Sequence, residues 1–386
     1  MKNEQNNENR LPKRKPVRNA NIELLRILSI FLIVIHHYSI YSGWTFKPGY
    51  STPELTVFFL SMFGKVGVCL FVYITGYFMV QSTTKWQAIA NLAIKTSLVL
   101  LLIYMVQIIF QLGDPVVNFP TILHRALPAI FGQYWFVTAY ILMYLALPIL
   151  NPFLQGLTRK QYGRALLIAF LVLSVWPMIY RRDGMTFSFP VYLLFLYAVG
   201  GYIRRFGDTL RNIKRWKLVA IFSLLVLIAI GIHLFLRSLD PDGYLYQALI
   251  KEHGWNENTL VRTDPSPLVF FISLPIFLFF VHWDLKIRER TSRVIAKIAA
   301  GTFTVYLLQS APSFHMYIWK ELLNGARFSR SIYIAGWGIL CTVGIFISGI
   351  ALSFVTDPIT ALLMRLLEKL IERIKSGTAR QRNASS

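Results

Sequence analysis

The stretch NIELLRILSIFLIVIHHYSIY, residues 21–41, decides how this chain is built. Most of its residues are apolar, but it also holds Glu23, Arg26, His36 and His37. About 20 apolar residues, each rising about 1.5 Å, let a helix cross ~30 Å of hydrocarbon. The stretch therefore predicts a membrane-spanning helix. Ionisable groups are costly in a span and usually face a protein interior or a wet cavity.

Blocks of similar length recur along the 386 residues, which are 55% hydrophobic and 15% charged. A soluble chain carries about 25% charged residues, so the composition excludes an ordinary cytosolic enzyme, a disulfide-stapled secreted domain and a disordered chain. It also disfavours an outer-membrane barrel, whose strands alternate in polarity. We expect an all-α integral membrane protein with ten transmembrane helices. The predicted spans are 22–41, 57–80, 92–112, 134–151, 165–180, 188–203, 218–236, 267–283, 298–319 and 331–356.

The basic residues predict the orientation of the spans. The net charge is +22, and with a cytosolic N-terminus 29 of the 40 Lys and Arg residues lie on the cytosolic side. This bias fits the positive-inside rule, so both termini are predicted to be cytosolic, and contact with nucleic acid is not expected. The predicted domains are a disordered basic tail over 1–20, a ten-helix membrane domain over 21–356, and a cytosolic basic helix and tail over 357–386.

The two cysteines, Cys69 and Cys341, lie inside apolar blocks without a paired spacing. This pattern indicates neither a disulfide framework nor a zinc site. The sequence also lacks a metal-spaced cluster and a glycine-rich phosphate loop. We therefore expect no metal in this protein.

Arg26 and His37 are eleven positions apart. At about 100° per residue this separation is about 20° past three turns, so both lie on one helix face about 16 Å apart. Glu23 shares that face and can pair with Arg26, whereas His36 is rotated by about 100°. Arginine can grip a phosphate, and an imidazole can accept a proton from a hydroxyl or carry an acyl group. The alternative is a snorkelling Arg26 and a histidine bonded to a neighbouring helix.

At these residues the sequence resembles the membrane acyltransferase-3 family. The Arg26-x10-His37 pair matches the family signature, and the later motifs follow in the family's order, with Thr75 standing where serine is usual. The resemblance covers nearly the whole chain after residue 20. The further matching segments are GKVGVCLFVYITGYFM at 64–79, QYWFVTAYILMYLALPIL at 133–150, FLYAVGGYIRRF at 195–206 and GTFTVYLLQSAP at 301–312.

The resemblance implies a membrane O-acyltransferase. Family members take an acyl group, usually acetyl, from cytosolic acyl-CoA and deliver it to a hydroxyl, usually of an envelope glycan. Acetyl-CoA is then the co-substrate, and the expected setting is a bacterial cytoplasmic membrane. The chain is similar to the standalone type, which lacks an extracytoplasmic hydrolase-like domain. A homo-oligomer and a separate partner that handles the acceptor both stay open.

One position departs from the family pattern. The ninth span of family members often ends in Tyr-Leu-Leu-His, whereas this run ends in Gln309. Glutamine can position a group by hydrogen bonding but cannot act as a base at neutral pH. His315 lies six residues on, about 240° around a continuous helix, so we expect His37 to be the base. Tyr306 and Gln309 share a face and are candidates for lining the acceptor cavity or stabilising an oxyanion; an interhelical hydrogen bond is the alternative.

Two further groups of side chains each allow two interpretations. Near the fourth span, the aromatic residues could stack on the acceptor or form an interfacial belt; they are Tyr134, Trp135 and Tyr140. Basic residues in or beside the cytosolic loops could hold CoA phosphates, or serve topology and lipid contact; they are Lys85, Lys95, Arg204 and Arg205.

Two functions of other classes compete with acyl transfer. A transporter or flippase for a glycan or lipid-linked sugar would use Arg26 and His37 to line its pathway. A non-catalytic sensor or scaffold would bind its partner through the loop at 237–266, which is rich in acidic and aromatic residues. Binding of CoA distinguishes the enzyme from both.

Overall fold

The computed structural model describes residues 19–46, 51–179, 189–283 and 285–384, and this part of the chain is helical without a β-strand. Most of the predicted tail, residues 1–18, lies outside the described residues. The helices are α1 (Ala20–Tyr41), α2 (Thr52–Ser61), α3 (Gly64–Met79), α4 (Trp86–Phe110), α5 (Phe119–Ala126), α6 (Trp135–Gly156), α7 (Arg159–Phe170), α8 (Trp176–Ile179), α9 (Phe189–Phe206), α10 (Arg215–Arg237), α11 (Tyr244–Tyr246), α12 (Thr259–Arg262), α13 (Pro267–Val281), α14 (Glu289–Gln309), α15 (Phe314–Met316) and α16 (Ile334–Ala384). Shorter π-helical turns cover Leu171–Val175, Gln247–Glu252 and Tyr317–Leu322, and 3-10 turns cover Gly207–Asn212 and Gly325–Phe328.

Within these residues, seven helical segments are long and apolar enough to cross a membrane, and a bent pair raises the number to eight. The chain is thus an all-α, multi-pass membrane protein. The ten predicted spans also include α9 and α13, which are not among the seven; α13 has 15 residues. Residues 180 and 188, at the limits of two predicted spans, lie outside the described residues. The seven segments are Ala20–Tyr41, Thr52–Met79, Trp86–Phe110, Trp135–Gly156, Arg159–Ile179, Arg215–Arg237 and Ile334–Ser376.

The predicted ninth span, 298–319, is not one continuous helix. Helix α14 ends at Gln309, and the segment that restarts at Phe314 is bent from it by 95°. Pro312 stands in the break, where it offers no backbone N–H and disfavours helical geometry at the residue before it. Ser313 then takes a left-handed backbone with φ of +63°. The bend therefore makes Gln309 the last residue of α14.

Helix α1 lies at the centre of the bundle, where it packs against α2, α3, α14 and α16. Helix α3 in turn packs so closely along α9 that the two backbones are in contact. A Cβ added at Gly76 would lie 1.9 Å from the carbonyl oxygen of Tyr197, so only glycine permits this approach. Small residues allow such contacts in membranes, where close van der Waals packing replaces the hydrophobic effect as the force between helices.

The outer faces of the bundle are apolar. Ile149 on α6 is 82% exposed, and Ile109 on α4 and Ile347 on α16 are exposed as well. A soluble protein of this size would not leave so many large apolar side chains in water. These faces are suited to lipid contact, while the polar side chains of α1 point into the bundle.

Candidate active site

Helix α1 presents its ionisable residues to the bundle interior. The helix begins at Asn19, whose side chain accepts a hydrogen bond of 3.0 Å from the backbone N–H of Asn21. Arg26 Nη1 donates to Glu23 Oε2 at 2.7 Å, as their spacing predicts. Glu23 is buried and Arg26 is half-buried. The carboxylate holds the guanidinium in one orientation near the start of the helix.

His37 is fixed by Gln309 from α14. The Nδ1 atom of His37 shares a hydrogen bond with Gln309 Oε1, and Gln309 Nε2 donates to Ser310 Oγ at 2.6 Å. Because a carbonyl oxygen only accepts, the neutral imidazole carries its proton on Nδ1. The lone pair is then on Nε2, the atom that can accept a proton or attack a carbonyl.

His37 lines a cavity of about 220 Å³, which we call the histidine cavity. Its wall combines α1, the start of α3, the start of α6, α12 and α14. Aromatic side chains and positive side chains share the lining, with no acidic side chain among its described residues. The lining consists of Ile33, His36, His37, Ile40, Tyr41, Gly64, Lys65, Val68, Trp135, Phe136, Arg262 and Tyr306.

His36 also lines the histidine cavity, although helical rotation alone directs it away from the face of His37. Its Nδ1 atom lies 2.5 Å from the carbonyl oxygen of Ser61. Its ring lies against Gly64, where an added Cβ would be 2.2 Å from His36 Cγ. The cavity wraps around α1 because α3 approaches α1 closely at this glycine.

A smaller cavity of about 90 Å³ is also lined by His37 and Trp135. His315 lines it, and the rings of His315 and Tyr41 are 5.0 Å apart. The expected rotation of about 240° from Gln309 does not apply, because α14 ends at Gln309. The bend brings His315 back to the vicinity of His37. The lining consists of His37, Tyr41, Gln133, Tyr134, Trp135, Tyr306, Ser310 and His315.

The predicted aromatic residues of α6 take different positions. Tyr134 is buried, and its hydroxyl donates to the carbonyl oxygen of Leu307 at 2.9 Å. Trp135 lines both cavities. Tyr140 lies deeper along α6, within hydrogen-bond distance of Thr75 Oγ1 at 3.1 Å.

The predicted phosphate-binding residues divide into two groups. Lys85 and Arg204 are exposed, and Arg204 lies over the ring of Tyr77 at 5.0 Å. Lys95 is buried and forms an ion pair of 2.6 Å with Asp357.

Arg205 has partners inside the protein. It donates to the backbone carbonyls at the C-terminal end of α6, including Gln155 at 2.9 Å. The last carbonyls of a helix have no i+4 backbone N–H to accept from, so Arg205 caps α6. The exposed pair, Lys85 and Arg204, is therefore the one accessible to a ligand.

Sequence patterns did not identify Lys65 and Arg262, which line the histidine cavity, or Asp264, which pairs with Lys65. Lys65 Nζ lies 2.5 Å from Asp264 Oδ2 and 4.8 Å from the centre of the Trp135 ring. Arg262 Nε donates to Ser61 Oγ at 2.9 Å, and burial lowers the pKa of Arg262. A lysine inside an apolar span was the signal available for Lys65. Nothing local marked Asp264 and Arg262 within their loop.

No group of three or more His, Cys, Asp or Glu side chains within the described ranges could hold a metal ion. Cys69 and Cys341 are both buried and free.

A family model described as an acyltransferase domain matches residues 19–356 of this chain. The match includes every residue of the histidine cavity. The chain belongs to the acyltransferase-3 family. It is therefore a membrane acyltransferase, and its reaction involves an acyl donor and an acceptor. No curated protein and no solved structure matches the chain.

Proposed function

We propose that this acyltransferase moves an acetyl group from cytosolic acetyl-CoA to a hydroxyl of an extracytoplasmic envelope glycan. The observation that carries the proposal is the Gln309-held imidazole of His37 on the wall of a cavity, eleven residues along α1 from Arg26. The proposal includes ten membrane crossings, cytosolic termini and a bacterial cytoplasmic membrane. The 29 Lys and Arg residues of the predicted cytosolic segments support this orientation.

The donor would bind with its phosphates at the cytosolic end of α1. Arg26 and the exposed Lys85 and Arg204 supply the positive charge there. Its long uncharged arm then spans the ~16 Å between Arg26 and His37. An aromatic series supports such a path, since the Phe136 ring lies 5.8 Å from Tyr140 and 5.7 Å from Tyr306.

In the proposed reaction, His37 Nε2 removes the proton of the acceptor hydroxyl while the oxygen attacks the thioester carbonyl. The tetrahedral intermediate collapses as the C–S bond breaks, the ester forms, and the CoA thiolate takes the proton from the imidazolium. Nε2 could instead attack the carbonyl first and pass the acetyl group on from an acyl-imidazole. Both routes use the same nitrogen. Only the second route forms an acyl-enzyme, so trapping that species distinguishes them.

The oxyanion of the intermediate needs a hydrogen-bond donor. Gln309 has its amide engaged between His37 and Ser310, so its part in the proposal is to position His37. The Tyr306 hydroxyl lines the histidine cavity and makes no hydrogen bond within the described residues. We assign the donor role to Tyr306.

The test uses purified protein in liposomes with radiolabelled acetyl-CoA. Thioester cleavage and label transfer are followed in the wild type, Arg26→Ala and His37→Ala, with His253→Ala as the control because His253 is exposed and lines neither cavity. His36→Ala is not a neutral control, since His36 lines the same cavity. We expect wild-type activity in the control alone. Absence of binding to every CoA ester would overturn the proposal and favour transport of a glycan.

A further inference from the structure

The wall of the histidine cavity is positively charged on one side. Lys65 from α3 and Arg262 from α12 both line it, beside the imidazoles of His36 and His37. No acidic side chain belongs to the described lining. A group that enters the cavity therefore meets cations and aromatic rings.

The charge of Lys65 is already balanced. Asp264 Oδ2 lies 2.5 Å from Lys65 Nζ, and both side chains are mostly buried. The indole of Trp135 covers the ammonium group at 4.8 Å. These contacts hold Lys65 in place but leave it little unpaired charge for a ligand.

The charge of Arg262 is not balanced in this way. Its Nε donates to Ser61 Oγ. Its two terminal nitrogens make no hydrogen bond or ion pair with a described residue, and both are accessible rather than enclosed by protein atoms. Glu257 acts on it electrostatically without forming an ion pair. A half-buried cation of this kind is costly unless an anion compensates it. The planar fork of a guanidinium fits a carboxylate or phosphate through two parallel hydrogen bonds.

The donor does not supply this anion. Its phosphates would sit near Arg26, and its reacting end is an uncharged thioester. The charged partner of Arg262 must then come with the acceptor. The cavity, about 220 Å³, is smaller than the roughly 300–1,000 Å³ of a whole small-molecule site, so it would enclose one end of a larger acceptor.

We propose that the acceptor carries an anionic group, a carboxylate or a phosphate, close to the hydroxyl that is acylated, and that Arg262 binds this group. The inference rests on the proposed function and names its acceptor class. Arg262 is a specificity-determining residue in this scheme, and Lys65 supports it by keeping Trp135 against the cavity. The anion orients the sugar so that its hydroxyl faces His37.

The test measures calorimetric binding of three probes: methyl glucuronide, glycerol phosphate and the neutral methyl glucoside. The proteins are the wild type, Arg262→Gln, Arg262→Lys and, as a matched control, Arg330→Gln, whose arginine is exposed and lines neither cavity. We expect the wild type and the control to bind an anionic probe at least ten-fold more tightly than the glucoside. Arg262→Lys keeps part of this preference and Arg262→Gln loses it. Equal binding of the three probes, or a preference that survives in Arg262→Gln, overturns the inference.

Binding of acetyl-CoA by the same proteins distinguishes this inference from the proposed function. Unchanged binding of acetyl-CoA in Arg262→Gln together with lost anion preference supports an acceptor role. Lost binding of acetyl-CoA in a folded Arg262→Gln protein would place Arg262 at the donor and overturn the inference, while acyl transfer stands. A wild type that binds the anions but no CoA ester would overturn acyl transfer, and with it the acceptor role of this site. Melting temperatures show which variants are folded.

Discussion

Gln309 Oε1 and His37 Nδ1 share a hydrogen bond across 272 residues of sequence. Gln309 accepts in this contact, because its amide nitrogen already donates to Ser310 Oγ. By its resemblance to the family the chain would have a histidine at this position, and Gln309 instead orients His37 without adding a second imidazole. The base function then falls to His37 alone, as we propose.

Removing the acceptor oxygen of Gln309 should impair catalysis more than substrate binding. A lost partner for a buried polar group costs about 1–3 kcal/mol, so we expect Gln309→Leu to lower kcat roughly 10–100-fold. The KM for acetyl-CoA should stay unchanged. Gln309→His should retain more activity, because an imidazole nitrogen can accept the same hydrogen bond. Steady-state kinetics of both variants measure this, and a fully active Gln309→Leu protein would contradict the positioning role.

The neighbours Arg204 and Arg205 offer a matched comparison on α9. Arg204 is exposed, whereas Arg205 donates to the carbonyls at the end of α6. We expect Arg204→Gln to raise the KM for acetyl-CoA several-fold at low salt, with an unchanged melting temperature. Arg205→Gln should lower the melting temperature and leave KM unchanged. If both variants behave alike, the division between a ligand-binding and a capping arginine is wrong.

The ion pair of Lys65 and Asp264 should show strong coupling. Breaking a buried pair leaves one charge uncompensated and costs up to about 3–5 kcal/mol, so Lys65→Met and Asp264→Leu should each destabilise the protein. The double variant should be more stable than the sum of the single effects predicts. Thermal unfolding in detergent of all four proteins completes the cycle. Additive losses would show that the two charges do not depend on each other.

The contact between α3 and α9 should not tolerate a methyl group. Gly76→Ala would place its Cβ 1.9 Å from the carbonyl oxygen of Tyr197, a backbone atom that cannot move alone. We expect a sharp loss of folded protein. Gly344→Ala in α16 is the control, because nothing lies within 4 Å of its added Cβ and alanine favours a helix by up to about 1 kcal/mol. Yield after size-exclusion chromatography compares them; equal yields would argue against the close helix contact.

The sequence by itself determined the class of the protein and the place of its main residues on α1. Apolar blocks of about 20 residues predicted an all-α membrane protein because each block must match the thickness of the bilayer. Helical rotation brought Arg26 near Glu23 because both residues belong to one helix. The motifs around His37 indicated the acyltransferase-3 family, which the match over residues 19–356 confirmed.

Only the tertiary structure decided what surrounds His37. The break after Gln309 depends on Pro312 and on the turn at Ser313, so a helical wheel drawn through to His315 misplaced that residue. Helical rotation also predicted that His36 lies away from the site. The close approach of α3 at Gly64 nevertheless places His36 on the wall of the histidine cavity.

The charged residues of the cavity wall could not be predicted from the sequence either, because their partners are far away along the chain. Lys65 and Asp264 are 199 residues apart, and Arg262 meets Ser61 across 201 residues. Periodicity reports which side of its own helix a residue occupies. It does not report which other helix or loop that side meets, because that depends on how the whole bundle packs.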